Sequence, residues 1–135
     1  MNTQSILIQG ANVLLPTSTV ETCVLIENGR IAGIGDNFTA DITIMGKDFL
    51  LTPSLIDVHG DSFERQIMPR PGVEIPLEIA ITETDKQLAI NGITTAYHAI
   101  TFSWEDGLRS IDSSEKLVSY INKFSKYLSV ENRIQ

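Results

Sequence analysis

Three consecutive residues, His59-Gly60-Asp61, carry two side-chain types that commonly bind a divalent metal. In an extended chain the first and third of these residues project to the same face, so the imidazole and the carboxylate can reach one ion. Both groups are ligands for zinc and related divalent metals. A structural interpretation is also open, with a hydrogen-bonded histidine at a strand end followed by a turn-forming aspartate. The pattern therefore indicates a candidate metal site.

Further charged residues flank this tripeptide. Asp57 lies two residues before His59 and can either orient the imidazole as a hydrogen-bond acceptor or cap local backbone amides. Glu64, Arg65 and Arg70 follow within one loop. The planar fork of arginine matches phosphate, which favours a phosphorylated small-molecule partner. From the residues alone, the simpler interpretation of Glu64 and Arg65 is that they are ordinary surface charges.

The second histidine of the chain, His98, lies in an apolar stretch, residues 96–100. Such a histidine is more often a satisfied core residue than a ligand, and we treat it as a possible pocket residue. The loop that follows, residues 103–109, contains Trp104, which either shapes the pocket or packs over the edge of the sheet. The lone Cys23 has no base near it in the sequence and is interpreted as a packing residue.

The elements that must position these residues change character near residue 52. Before it, short apolar segments alternate with turn residues, and Asn28-Gly29 predicts a tight hairpin because both residues accept positive φ. These segments predict a small antiparallel sheet. The strands are expected at residues 5–15, 22–27, 30–34, 41–45 and 49–52.

After residue 52 the pattern becomes strand, helix, strand, helix. Strands are expected at 55–58 and 93–100, and a loop at 59–75. One helix should begin at Pro76 and end at Gly92, and a second should begin at Asp112 and run to Leu128. This alternation predicts parallel strands, with ligands bound beyond their carboxyl ends. The 135 residues are too few for a complete eightfold barrel, which takes about 250.

Composition indicates which classes of binding partner the protein is expected to lack. The chain has 10 Lys+Arg against 17 Asp+Glu and a formal net charge of −7, which argues against a general nucleic-acid binder. It shows neither a secretory signal nor an apolar run near the ~18 residues of a membrane helix. A single cysteine permits no internal disulfide. We therefore expect a cytoplasmic protein with neither nucleic acid nor membrane as its partner.

Several segments carry a resemblance to a known family. Residues 52–61, TPSLIDVHGD, resemble the first barrel strand of the amidohydrolase superfamily, whose usual pattern is Pro-Gly-hydrophobic-hydrophobic-Asp-x-His-x-His. Ser54 stands in place of the glycine and Asp61 in place of the second histidine. Residues 57–72, DVHGDSFERQIMPRPG, resemble the phosphonate-metabolism branch of that superfamily, PhnM, the α-D-ribose 1-methylphosphonate 5-triphosphate diphosphatases. Residues 89–96, AINGITTA, resemble the second strand, and 103–109, SWEDGLR, a loop of one subgroup.

The resemblance implies an α/β fold that forms the N-terminal part of an amidohydrolase-type protein. Residues 1–52 would be a partial β-sandwich, and residues 53–135 the first two βα units of an incomplete (β/α)8 TIM barrel. It also implies a metal-dependent hydrolase that releases pyrophosphate from a ribose 5-triphosphate. His59 and Asp61 would bind a divalent metal, with zinc expected first. By location, Arg65 and Arg70 with Glu64 would contact the substrate.

The catalytic base and the remaining metal ligands of this family lie on later strands, so no catalytic residue is assigned here, and this chain alone is expected to be inactive. One alternative is a non-catalytic remnant, or a binding module completed by a partner. Such a module would form oligomers or pair with a complementing fragment, because an open parallel sheet exposes its edges. Another alternative is an amidohydrolase that acts on C–N bonds, for which the arginines would have no phosphate to bind.

Overall fold

The computed structural model describes residues 4–135 and forms two compact units, one ending at Pro53 and the other spanning Ser54–Gln135. The first unit contains only strands, and the second alternates strands with helices. The elements are β1 (Ile6–Leu14), β2 (Thr19–Glu27), β3 (Arg30–Gly35), β4 (Ile42–Met45), β5 (Leu50–Leu51), β6 (Leu55–Gly60), α1 (Ser62–Ile67), α2 (Leu77–Ile90), β7 (Ile93–His98), α3 (Ile111–Phe124) and β8 (Glu131–Ile134), with one 3₁₀ turn at Ser125–Tyr127.

The first unit is a mixed sheet with the strand order β3-β2-β1-β4, and β5 also pairs with β1. Strands β1, β2 and β3 are antiparallel, as expected. Strands β4 and β5 run parallel to β1, so the expectation of a purely antiparallel sheet was wrong. After β3 the chain crosses to the far side of β1 instead of turning back beside β3, and this crossing reverses the direction of β4.

The hairpin between β2 and β3 was predicted correctly. Asn28 and Gly29 have φ of 51° and 71°, the left-handed values that a type I′ turn requires. The buried core of this unit comprises Ala11, Val13 and Val24. The unit is therefore a small framework that buries few large side chains.

The second unit is a parallel sheet with the order β6-β7-β8. The helix α2 connects β6 to β7, and α3 connects β7 to β8. Only two barrel strands were expected, and β8 is a third. Its sequence, residues 131–134, has three polar residues among four and gives no strand signal. Pairing with β7 creates this strand, which local sequence preference does not predict.

The helices of the second unit depart from expectation at two places. The segment expected to be a loop contains α1, a helix of six residues. Helix α3 begins at Ile111 because the Ser110 hydroxyl accepts the Ser113 N–H at 3.2 Å, so Ser110 is the cap rather than Asp112. Helix α2 lies where it was expected, between Pro76 and Gly92.

The three helices pack on one face of the parallel sheet. Their shared core consists of apolar side chains of α1, α2, α3 and the segment after β7. Its buried members are Phe63, Ile67, Ala80, Ile81, Ile100, Leu117 and Ile121. Among residues 4–135, none of the helices has the length and apolar character needed to cross a membrane.

Candidate active site at the carboxyl edge of the parallel sheet

The three parallel strands end at one level. The ladder pairs Gly60 with His98 and His98 with Ile134, the last residues of β6, β7 and β8. The segment after each strand is tied to its neighbour, since Ala99 N–H donates to Gly60 and Gln135 N–H donates to His98, both at 2.9 Å. Side chains at these ends therefore share one edge of the sheet, where ligands bind in parallel α/β folds.

His59 is exposed at this edge and its ring is oriented by Gln135. The Nδ1 atom lies 3.1 Å from the Gln135 side-chain oxygen. An amide oxygen only accepts hydrogen bonds, so Nδ1 carries the hydrogen, and in the neutral ring Nε2 keeps its lone pair. This arrangement is the one found around metal-binding histidines. Sequence reasoning missed Gln135, because its role depends on the unexpected strand β8.

The two aspartates beside His59 lie in different environments. Asp57 is half-buried, and its Oδ1 accepts the backbone N–H of His59 at 3.1 Å, so it contacts the backbone rather than the ring. A Cβ on Gly60 would lie 2.8 Å from Asp57 Oδ2, which explains the glycine between the two candidate ligands. Asp61 is exposed at the start of α1, and its side chain makes no capping hydrogen bond. Its carboxylate is therefore not committed to the helix.

His98 lies on the opposite face of the sheet. Its Nε2 bonds to Asn132 Oδ1 at 2.6 Å, and its ring meets the Phe63 ring edge-on at 5.5 Å. Asn132 and Gln135 are three positions apart in an extended segment, so they project from opposite faces. Their histidine partners, His98 for Asn132 and His59 for Gln135, therefore also lie on opposite faces of the sheet. The structure therefore does not bring His98 to His59.

A buried polar network surrounds His98. The carboxylate of Asp85 on α2 accepts the backbone N–H groups of Ser129 and Val130, each at 2.9 Å. Asn132 Nδ2 donates to the Val130 carbonyl at 2.7 Å and to Asp85 at 3.4 Å. The side-chain oxygen of Asn132 is therefore the atom that bonds to His98. Because an amide oxygen only accepts, His98 Nε2 must carry the hydrogen. The network joins α2, β7 and β8.

Glu64, expected to contact substrate, pairs with Arg109 from the loop after β7. Arg109 Nε and Nη2 donate to the two carboxylate oxygens of Glu64 at 2.9 and 2.8 Å. The hydrogen bond and charge of Glu64 raise the pKa of the Arg109 guanidinium above its ordinary value, and the charge of Asp61 adds to this effect. The pair therefore links two loops at the strand edge, close to a candidate metal ligand.

The other two arginines remain apart from this pair. Arg65 and Arg70 are exposed, and neither forms an ion pair within residues 4–135. Arg70 makes an isolated backbone bridge with Val73. Trp104 is 91% exposed, so its packing over the sheet edge was a wrong alternative.

A second cluster that sequence reasoning missed involves β7 and β8. Arg133 Nη1 donates to the Tyr97 hydroxyl at 2.7 Å, and its Nε and Nη2 donate to Glu131 at 2.9 and 2.6 Å. Glu131, followed by Tyr97, raises the pKa of Arg133. Arg133 and Gln135 are two positions apart in an extended segment, so both side chains project from the same face of the sheet. This cluster therefore shares a face with His59.

In the part of the chain that the structure describes, no group of three or more His, Cys, Asp or Glu side chains could hold a metal ion. His59 and Asp61 thus offer two donors, an imidazole nitrogen and a carboxylate, which suit zinc in type. Zinc takes three or four protein ligands, so the set fits in chemistry and is incomplete in number.

Two solved structures share the fold of this chain. The chain resembles the D-hydantoinase crystal structure with a TM-score of 0.61 and 20% identity over 96% of this chain and 26% of that one. It resembles a triazine hydrolase from Arthobacter aurescens with a TM-score of 0.50 and 18% identity, over 88% of this chain and 34% of the other. These likenesses confirm the expected fold class, a partial β-sandwich followed by the start of a barrel.

Among curated proteins, the chain is similar to the alpha-D-ribose 1-methylphosphonate 5-triphosphate diphosphatase of Escherichia coli strain K12. The two are 26% identical over 122 residues, which cover 89% of this chain and 32% of the relative. The resemblance stated from the sequence is confirmed. The chain spans about a third of that relative's length. No family model matches the chain.

Proposed function

We propose that this chain provides the first part of a metal-dependent hydrolase that releases pyrophosphate from a ribose 5-triphosphate. The observation that carries the proposal is that both candidate metal ligands lie at the carboxyl end of β6, His59 with its Nε2 free of protein partners within residues 4–135 and Asp61 with a carboxylate that makes no capping bond. The similarity to the diphosphatase over 89% of the chain supports the choice of a triphosphate substrate.

His59 and Asp61 would hold the metal ion, with zinc as the first candidate. A bound divalent metal lowers the pKa of a coordinated water and polarises a phosphoryl oxygen. The chain's own residues prepare that site. Gln135 fixes the tautomer and the ring orientation of His59, and Asp57 holds the backbone N–H of the same residue. Asp61 follows directly after the strand, within reach of the same edge.

The arginines supply charge for a phosphorylated substrate. Arg65 and Glu64 lie on α1, which begins directly after Asp61, and Arg109 pairs with Glu64. Arg70 follows the end of this helix. A general base is expected on strands beyond those described here, because one imidazole and one carboxylate that bind a metal leave no group to accept a proton. We therefore expect no turnover by the 135 residues alone.

Hydrolysis of C–N bonds is the second candidate function, favoured by the likeness to a hydantoinase and a triazine hydrolase. A third candidate is a binding module without catalysis. Strand β6 is consistent with a surface that pairs with further protein, because Leu55, Ile56 and Val58 are each about 60% exposed.

Phosphorus NMR provides the test, with pyrophosphate release from ribose 5-triphosphate as the signal. The chain is assayed alone and after mixing with the segment of the E. coli diphosphatase that lies outside the similar region, each with zinc. We expect no release by the chain alone and metal-dependent release by the mixture, abolished by His59→Ala. Hydantoin opening by the mixture without pyrophosphate release would favour the C–N reaction. Turnover by the chain alone would contradict the need for later strands.

A further inference from the structure

The Glu64–Arg109 pair leaves part of the guanidinium free. Arginine has five N–H donors, and Glu64 engages one on Nε and one on Nη2. Both N–H groups of Nη1 and one of Nη2 remain available. These donors form a second fork, which matches two oxygens of a phosphate. We infer that Arg109 contacts the phosphate chain of the substrate and that Glu64 is the residue that positions it.

The backbone of Arg109 is held at the same time as its side chain. Its carbonyl accepts the Ser103 N–H at 2.7 Å, and the next residue, Ser110, caps helix α3. With the guanidinium held by Glu64, the residue is anchored at three points. An ordered guanidinium loses less conformational entropy when it binds an anion than a free one does. The side chain nevertheless stays 56% exposed and accessible to a ligand.

The charge arrangement supports the same assignment. The ion pair is neutral overall, but its positive end is the edge of the guanidinium turned away from Glu64, and this edge carries the free donors. Glu64 is the main cause that raises the pKa of Arg109, and the charge of Asp61 adds a smaller contribution in the same direction.

Arg65 and Arg70 are the competing residues. Both are exposed and lack ion pairs among residues 4–135, so their side chains must lose rotamer freedom before they bind an anion. The assignment rests on the proposed function for the identity of the substrate. It rests on the geometry of the pair for the choice of Arg109.

The first experiment measures binding of inorganic tripolyphosphate to the chain by calorimetry, without metal. We expect Arg109→Gln to weaken binding about tenfold or more, the scale of two lost charge-assisted hydrogen bonds. Arg65→Gln and Arg70→Gln should each weaken it less than about threefold, as the loss of a screened surface charge does. Arg30→Gln, in the first unit, removes the same charge and serves as the control that leaves binding unchanged. Equal losses for Arg65 and Arg109 would overturn the inference.

The positioning role of Glu64 needs a variant that restores the ion pair. The double variant E64R/R109E keeps two complementary partners but moves the guanidinium onto α1. We expect it to unfold at the temperature of the original chain and still to bind tripolyphosphate as weakly as Arg109→Gln. Recovery of binding in the double variant would show that the pair acts only on the structure and would contradict positioning.

The inference and the proposed function can fail separately. Binding that depends on Arg109, with no pyrophosphate release in the complemented mixture, would leave the phosphate contact standing and reject the reaction. Pyrophosphate release that depends on His59 and is unaffected by Arg109→Gln would support the reaction and reject Arg109 as the phosphate contact.

Discussion

The two faces of the parallel sheet give its two histidines opposite roles. His59 is exposed, its ring is oriented by Gln135, and its Nε2 is free. His98 is 1% exposed, and its Nε2 is bound to Asn132 within a buried network. Both residues lie at the same edge of the sheet, because His98 pairs with Gly60, the residue directly after His59. A position at the edge of the sheet brings a residue near the candidate site, and the face on which its side chain lies decides whether it can bind a ligand.

The largest expected loss of stability follows from a change on the face of the parallel sheet that the helices cover, where His98 lies. His98→Ala removes a ring packed against Phe63 and leaves Asn132 Oδ1 without its donor. We expect the free energy of unfolding to fall by about 3 kcal/mol, from the cavity and the unsatisfied oxygen together. Urea denaturation measures this loss. His59→Ala, on the open face, should change the unfolding free energy by less than about 0.5 kcal/mol. Equal losses for the two variants would remove the distinction between the faces.

The next effect concerns the carboxylate that ties α2 to the start of β8. The two carboxylate oxygens of Asp85 each accept one backbone N–H group; Asp85→Asn keeps one of these acceptors and turns an N–H₂ group toward the other donor. We expect a loss of about 2 kcal/mol in unfolding free energy. The control on the same helix is Glu83→Gln, which breaks an exposed ion pair with Lys86 and should cost at most about 0.5 kcal/mol. Thermal unfolding of both variants, followed by circular dichroism, checks the difference.

A third prediction concerns the open face and zinc. Titration with zinc should shift the NMR signals of the His59 ring and leave those of His98 in place. Gln135→Ala removes the acceptor that orients His59, and we expect zinc affinity to fall by about tenfold, the lower end for a lost outer partner of a metal ligand. Shifts of equal size at both rings would contradict the assignment of His59 to the accessible face.

The smallest effect lies in the first unit and concerns the titration of Asp41. Asp41 accepts the backbone N–H and the hydroxyl of Ser5, each at 2.8 Å, and these bonds hold its pKa below the ordinary 3.8. Because the folded pKa is the lower one, this contribution to stability is present above pH 3.8 and is lost as the pH falls through the folded pKa.

Ser5→Ala removes only the hydroxyl, and the backbone bond is the larger cause of the shift. We therefore expect the pKa of Asp41 to rise and still to remain below 3.8, as measured by NMR titration of its side chain. Ser18→Ala, in the turn after β1, is the control and should leave the Asp41 titration unchanged. A rise to 3.8 in the Ser5 variant would show that the backbone bond contributes nothing.

Much of the fold followed from local signals. The Asn28-Gly29 hairpin and the extent of α2 were predictable because turn chemistry, capping and periodicity are properties of short segments. The parallel direction of β4 was not predictable, because it depends on which side of β1 the chain crosses. The cap of α3 was misassigned, since Ser110 and Asp112 are both good capping residues and the loop geometry selects between them.

The amino-acid sequence is enough to predict which residues could act as ligands and at which edge of the sheet they lie, because the strand–helix alternation shows where each strand ends. Only the tertiary structure decided that Arg109 pairs with Glu64, 45 positions away in the chain, and that Gln135 orients His59 from 76 positions away. Contacts over such separations arise when parallel strands align. Strand β8 exists through that alignment, which no local pattern of side chains encodes.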